Sequence, residues 1–261
     1  MSTSIRVPDR VCLVTGAGRG IGQAAARVLA AGGAKVVVAD RADSGAEVVQ
    51  HIVESGGEAA FVQADVSVDA GARACVEETL RVYGQLDSLV NNAGILRLAD
   101  SFEETTDDQV SDMMRINFES VFRLSKAALP ALEASGRGAI VNTASMVGHR
   151  IGMPGHAVYG ASKAAVVGLS MTMAIELATR GVRVNCVAPG VVATDLYVEQ
   201  FLKEHSKEEL EAGSDATLAA IPIGKYASPE QIGDVIAFLA SDASSYVTGQ
   251  TILIDGGFTG I

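Results

Sequence analysis

The sequence predicts an α/β fold: a doubly wound parallel sheet of about seven strands with helices on both faces. Three observations point to it. Short β-branched runs alternate with longer stretches of helical periodicity, which is the pattern of repeated strand–helix–strand units. Several of those runs are apolar on both faces, as parallel strands buried between helices must be. The chain has 261 residues, 48% of them apolar, enough for one large core. No Pro/Gly/Ser-rich linker, fixed-period repeat or low-complexity tract divides it, so a single domain over 1–261 is expected.

The first strand is VCLVTG (11–16), followed by a helix over about 20–31. AKVVVAD (34–40) is the second strand, with a helix over 44–55, and AAFVQAD (59–65) is the third, with a helix over 68–83. LDSLVNNAG (86–94) is the fourth, followed by one long helix over 107–134, and GAIVNTAS (138–145) is the fifth, with an almost wholly apolar helix over 157–180. VRVNCVAPG (182–190), a helix over 229–240 and TILIDGG (251–257) complete the alternation. Segment 194–226 interrupts it. That segment is charged in its middle and long for a connection, so it is expected to be a lid over a binding site.

The net charge of −11, from 20 Lys and Arg against 31 Asp and Glu, leaves no basic face for nucleic acid. Cys12, Cys75 and Cys186 are too far apart for a disulfide framework or a metal site, and Cys12 and Cys186 lie in apolar runs as small buried hydrophobes. His51, His149, His156 and His205 show no ligand spacing, so no metal is expected. The first residues, MSTSIRVPDR, carry no apolar signal core, and no uninterrupted apolar run reaches membrane-spanning length. A cytoplasmic protein with no membrane partner is expected.

VTGAGRGIG (14–22) follows the first strand and opens the first helix. Its glycines allow a sharp turn and close approach of a ligand, and a helix N-terminus offers N–H groups and partial positive charge to a pyrophosphate. The spacing is T-G-x-x-x-G-x-G, from Thr15, Gly16, Gly20 and Gly22, rather than G-x-G-x-x-G. Asp40 ends the second strand roughly 20 residues on, where a carboxylate accepts hydrogen bonds from a ribose 2′-OH and repels a 2′-phosphate. This favours NAD over NADP. Arg41, with Arg19 in the loop, keeps the phosphate-bearing cofactor open as the alternative.

Tyr159 and Lys163 lie four apart on a predicted helix and so share one face, with small residues between them; Ser145 falls just past a strand end, where the crevice of such a sheet lies. A free phenol has a pKa near 10. A nearby ammonium and a cationic nicotinamide would both favour the phenolate, making Tyr159 a base for an alcohol or an acid for a carbonyl. Serine would hold the same oxygen, and lysine would bond the nicotinamide ribose. Without the upstream loop, Tyr and Lys at this spacing are ordinary helix surface.

TGAGRGIG, NNAG (91–94), Ser145, YGASK and PG (189–190), in this order and spacing over nearly the whole chain, resemble the short-chain dehydrogenase/reductase family. The resemblance implies a Rossmann-type sheet of seven strands and catalytic roles for Ser145, Tyr159 and Lys163. It adds Asn117, in RINFES (115–120), as holder of a water in a proton relay to Lys163. It also implies cofactor contacts from Gly16, Arg19, Gly20 and Ile21 at the pyrophosphate, and from Asp65 and Val66 at the adenine edge. Asn91, Ala93 and Gly94 fall beside the cofactor, and Pro189, Gly190, Val192 and Thr194 at the nicotinamide amide. It further implies a homotetramer or dimer built on the 157–180 helix and the long helix before it; a homotetramer is expected.

The activity expected is NAD-dependent interconversion of a secondary alcohol and a ketone. An NADPH-dependent 3-oxoacyl-carrier-protein reductase is the nearest alternative, although a mostly acidic surface offers no evident dock for an acidic carrier. A non-catalytic nucleotide sensor on the same fold is the alternative of another class, disfavoured because Asn117, Ser145, Tyr159 and Lys163 are all present. Ser145, Val147, His149, Tyr159 and Leu196 are expected to touch substrate, with Met146, Met153, Leu96 and Tyr197 as further pocket walls.

Overall fold

Seven parallel strands form one sheet in a computed structural model that describes residues 5–99, 101–194 and 216–260. They are β1 (Val11–Thr15), β2 (Lys35–Asp40), β3 (Glu58–Gln63), β4 (Ser88–Asn91), β5 (Gly138–Thr143), β6 (Val182–Pro189) and β7 (Thr251–Ile254). Their order is β3-β2-β1-β4-β5-β6-β7, parallel at every pairing. Alternate residues of a strand point to opposite faces, and both faces are buried. Cys12, Val14, Val36 and Val38 pack with Ala25 and Leu29 of α1 (Gly20–Ala31), Ile52 of α2 (Ser44–Glu54) and Ile232 and Ile236 of α8 (Pro229–Ala240). Leu13 and Val37 pack on the other face with Cys75 of α3 (Asp69–Tyr83), Leu124 of α5 (Ser120–Ala134) and Leu177 of α7 (Ala157–Ala178).

Two expected elements are shorter or broken. The fourth strand ends at Asn91 rather than Gly94, because the Asn92 and Ala93 N–H groups donate to the Thr15 hydroxyl, at 3.0 and 3.2 Å, instead of to a neighbouring strand. The helix expected over 107–134 is α4 (Asp107–Met114) and α5 joined by a π turn at Arg115–Glu119. Single π turns inside helices concentrate at functional sites, and this one carries Asn117. α7 has the length and hydropathy of a membrane span, but it lies against the sheet and bears the buried Lys163. The lid expected over 194–226 falls largely on 195–215, outside the described residues.

Candidate active site

The strand order reverses between β1 and β4, and the carboxyl ends of the strands open there onto a cavity of about 610 Å³. The β1–α1 turn supplies Gly16, Arg19, Gly20 and Ile21 to its wall. Gly16 has φ +59°, and a Cβ there would lie 2.7 Å from the Ala93 Cα, so this turn is packed too tightly for any side chain. A Cβ on Gly20 (φ +57°) would meet only Thr194 across the cavity, at 3.6 Å, and would fill the space a ligand needs. α1 starts there without a capping side chain and without an acidic residue in its first turn, so its positive end faces the cavity uncompensated.

Asp40 and Arg41, at the end of β2, line the same cavity. The Asp40 carboxylate is held in place, accepting the Gly18 N–H at 2.8 Å and the Ala42 N–H at 3.0 Å. Asp65 and Val66 form the next stretch of wall. The Ser67 hydroxyl, followed by its N–H at 2.9 Å, holds the Asp65 carboxyl below the usual carboxylate range. Ala93 and Gly94 line the cavity at the end of β4, and Pro189, Gly190, Val192 and Thr194 line it beyond β6. A glycine cradle, an open helix N-terminus and a fixed carboxylate one strand away fit a dinucleotide.

Asn91 departs from expectation. Its side chain does not reach the cavity; it is buried, donating to Asn142 Oδ1 at 2.8 Å and Ser125 Oγ at 3.1 Å. With one residue per face along a strand, it is Asn92 that turns toward the cavity, donating to the carbonyls of Thr15 and Gly16 at 3.1 and 3.2 Å. Asn142 Nδ2 donates in turn to Ser170 Oγ at 2.8 Å, and the Cys186 thiol donates to the same oxygen at 3.1 Å. A buried polar ladder thus ties α5 and α7 to β4, β5 and β6.

Ser145 leads from β5 into α6 (Met146–His149), a distorted helical turn. Gly148 breaks it with φ +87°, and a Cβ there would collide with the Gly160 carbonyl of α7. That contact holds Ser145 beside Tyr159. Ser145, Val147, Tyr159 and Lys163 all line the cavity. Lys163 Nζ donates to the Thr143 carbonyl at 2.8 Å and stands 5.8 Å from the Tyr159 ring centre. Burial pushes Lys163 down to about 8. Burial also raises Tyr159, against the opposing hydrogen bond from Ser145. Desolvation thus disfavours the phenolate in the protein alone, the reverse of the direction expected from sequence.

Asn117 is fully buried, and its amide is engaged on three sides. Oδ1 accepts the Ile95 N–H at 2.8 Å, while Nδ2 donates to the Ile95 carbonyl at 3.0 Å and to Ser162 Oγ at 3.0 Å. With both N–H donors committed, the side chain fixes the cavity wall at Ile95 to α7 immediately beside Lys163. Leu96, Met146 and Met153 line the cavity as expected; Leu196 and Tyr197 fall outside the described residues.

His149 does not line the cavity. The chain turns at Gly148, and His149 lies partly buried away from the lining residues, where desolvation lowers its pKa. The ring that does reach the cavity is His156, one turn before Tyr159. Sequence reasoning assigns no role to Asn92 or Tyr226, which also line the cavity. Asn92 stands in the NNAG motif, whereas nothing local marks Tyr226 or His156.

The chain is similar to known proteins over nearly its whole length. Residues 16–259 match the family model described as enoyl-(acyl carrier protein) reductase. The chain is 40% identical over 255 residues to 3-oxoacyl-[acyl-carrier-protein] reductase FabG of Vibrio cholerae, covering 97% of this chain and 98% of that one. It is 36% identical to the oxidoreductase UcpA of Escherichia coli K12, covering 97% and 96%. Among solved structures, levodione reductase superposes with a TM-score of 0.92 at 34% identity, covering 98% of this chain and 99% of that one.

Proposed function

The chain belongs to the short-chain dehydrogenase/reductase family and is an oxidoreductase, and from that premise we propose that it interconverts a secondary alcohol and a ketone with NAD as hydride carrier. The observation that carries the reading is the convergence of Ser145, Tyr159 and Lys163 on the cavity whose other end holds the glycine turn and Asp40. When bound, the dinucleotide would supply the hydride acceptor for alcohol oxidation or the hydride donor for ketone reduction.

Gly16, Arg19, Gly20 and Ile21 would hold the pyrophosphate, Asp40 would take the ribose hydroxyls, and Asp65 and Val66 would edge the adenine. Pro189, Gly190, Val192 and Thr194 would clasp the nicotinamide amide, with Ala93 and Gly94 beside it. Tyr159 takes the proton from the alcohol oxygen, or gives it to the ketone. Ser145 donates a hydrogen bond to that oxygen. Lys163, anchored on the Thr143 carbonyl, bonds the ribose and carries the proton toward the turn at Asn117. Asn117 is the positioning residue of the set, since its amide joins Ile95 to Ser162. Val147 contacts substrate, residues 194–226 cover it, and the whole of 1–261 acts as one domain in a cytoplasmic homotetramer.

NADH formation at the reduced-nicotinamide absorbance, across a panel of secondary alcohols, tests the reading. Tyr159→Phe is expected to lose about 10²- to 10⁴-fold in kcat while NAD binding, read by calorimetry, is retained. NAD binding without turnover of any alcohol or ketone favours a nucleotide sensor instead. The FabG relatives support a second reading, reduction of a 3-oxoacyl thioester. Faster turnover of such a thioester with NADPH than of any alcohol with NAD selects it; the fixed Asp40 carboxylate argues for NAD.

A further inference from the structure

We propose that His156 is a specificity-determining residue that selects substrates bearing a second hydroxyl group within one or two carbons of the reacting carbon. The assignment rests on the alcohol–ketone reading above and names the substrate class of that same site. Three observations support it. His156 lines the cavity with Tyr159, the two rings meeting edge to face with centres 6.2 Å apart. Its Nδ1 lies 2.8 Å or less from a carbonyl, that of Pro154, at 2.7 Å. A carbonyl oxygen only accepts, so Nδ1 is the donor, and the tautomer with its one proton there presents Nε2 as an acceptor.

Among the described residues Nε2 has no hydrogen-bond partner, and the surrounding wall is mainly apolar: Ile95, Leu96, Met146, Val147 and Met153. One acceptor of fixed tautomer in an apolar wall discriminates strongly, because a substrate without a matching donor leaves it desolvated and unpaired. Tyr159 and Ser145 already engage the reacting oxygen. Two rings with centres 6.2 Å apart on one cavity suit a substrate whose second donor is near the reacting oxygen, which describes a vicinal or near-vicinal diol or its hydroxyketone.

The test uses matched pairs with the full-length protein and NAD: butan-2-ol against butane-2,3-diol, and cyclohexanol against cyclohexane-1,2-diol. The expected result is a kcat/KM for the diol about tenfold or more above that of its mono-alcohol, a ratio that falls toward one in His156→Leu and recovers in His156→Gln, whose amide again offers an acceptor. Equal losses on both members of a pair, or a ratio that His156→Leu leaves unmoved, overturn the assignment while leaving the alcohol–ketone reading standing. Absence of turnover of every alcohol and hydroxyketone by the wild-type protein overturns both.

Discussion

At the scale of single residues, the site stores its cost in Lys163. Its ammonium is buried in the protein and its pKa drops from 10.5 to about 8. Below pH 8 the charge is present in folded and unfolded states alike, and burial opposes folding in full. Between pH 8 and 10.5 the unfolded chain holds the proton that the folded one has lost, so stability rises with pH across that window. Lys163→Met is therefore expected to be more stable than the wild type at pH 7, by roughly 1–3 kcal/mol, with the difference shrinking above pH 10. Loss of the bond to the Thr143 carbonyl offsets part of the gain. Chemical denaturation of both proteins at pH 7 and pH 10 measures it, and a less stable variant at pH 7 contradicts the reading. A buried titratable group in a cleft, held at a cost in stability, is the expected signature of a functional site.

At the scale of elements, the geometry depends on how α5 and α7 are pinned to the sheet. Lys163, Val166 and Ser170 share the buried face of α7, and Ser170 is the acceptor for both Asn142 and Cys186. Asn142→Leu removes the centre of the ladder, leaving one buried Asn91 N–H without its acceptor and Ser170 with the Cys186 thiol as its remaining donor. A loss of about 2–4 kcal/mol is expected, read as a lowered urea midpoint. A midpoint unchanged within error means the ladder contributes nothing to the hold on α7. The π turn at Arg115–Glu119 belongs to the same scale: it places Asn117 so that one amide reaches both Ile95 and Ser162. Neither glycine nor proline marks that break in the sequence, whereas Pro130 sits inside α5 without ending it. Helical periodicity consequently predicts one continuous helix where two are joined by a π turn.

At the scale of the whole molecule, the two ends of the sheet have different tasks. The carboxyl ends open onto the cavity, while the opposite end is closed by Arg10, which donates to Ser88 Oγ at 3.0 Å and the Arg137 carbonyl at 3.0 Å and pairs with Asp242. The outer side of α5 and α7 leaves Phe122, Met171 and Ile175 exposed, Ile175 at 79%. Apolar side chains on two adjacent helices are what a symmetric interface uses. Four chains of 26.9 kDa are expected to sediment at about 108 kDa, and Ile175→Asp to shift the protein to smaller species. A single 27 kDa species for the wild type at micromolar concentration contradicts the homotetramer.

Strand and helix order, the glycine turn, Asp40 and the Tyr159–Lys163 pair were legible in the sequence because each is local chemistry: periodicity, missing Cβ atoms, a carboxylate at a strand end, two side chains one turn apart. The rest depends on which distant segments the sheet brings together. Whether Asn91 or Asn92 faces the cavity depends on the register of β4 beside β1. That His156 and not His149 lines it depends on Gly148 packing against Gly160. The pKa directions of Tyr159 and Lys163 follow from burial, which a linear chain does not display. Local spacing sets which groups are available; the parallel order of the strands sets which of them meet, because contacts such as Thr15 with Asn92 or Asn117 with Ile95 exist only once the sheet has closed around them.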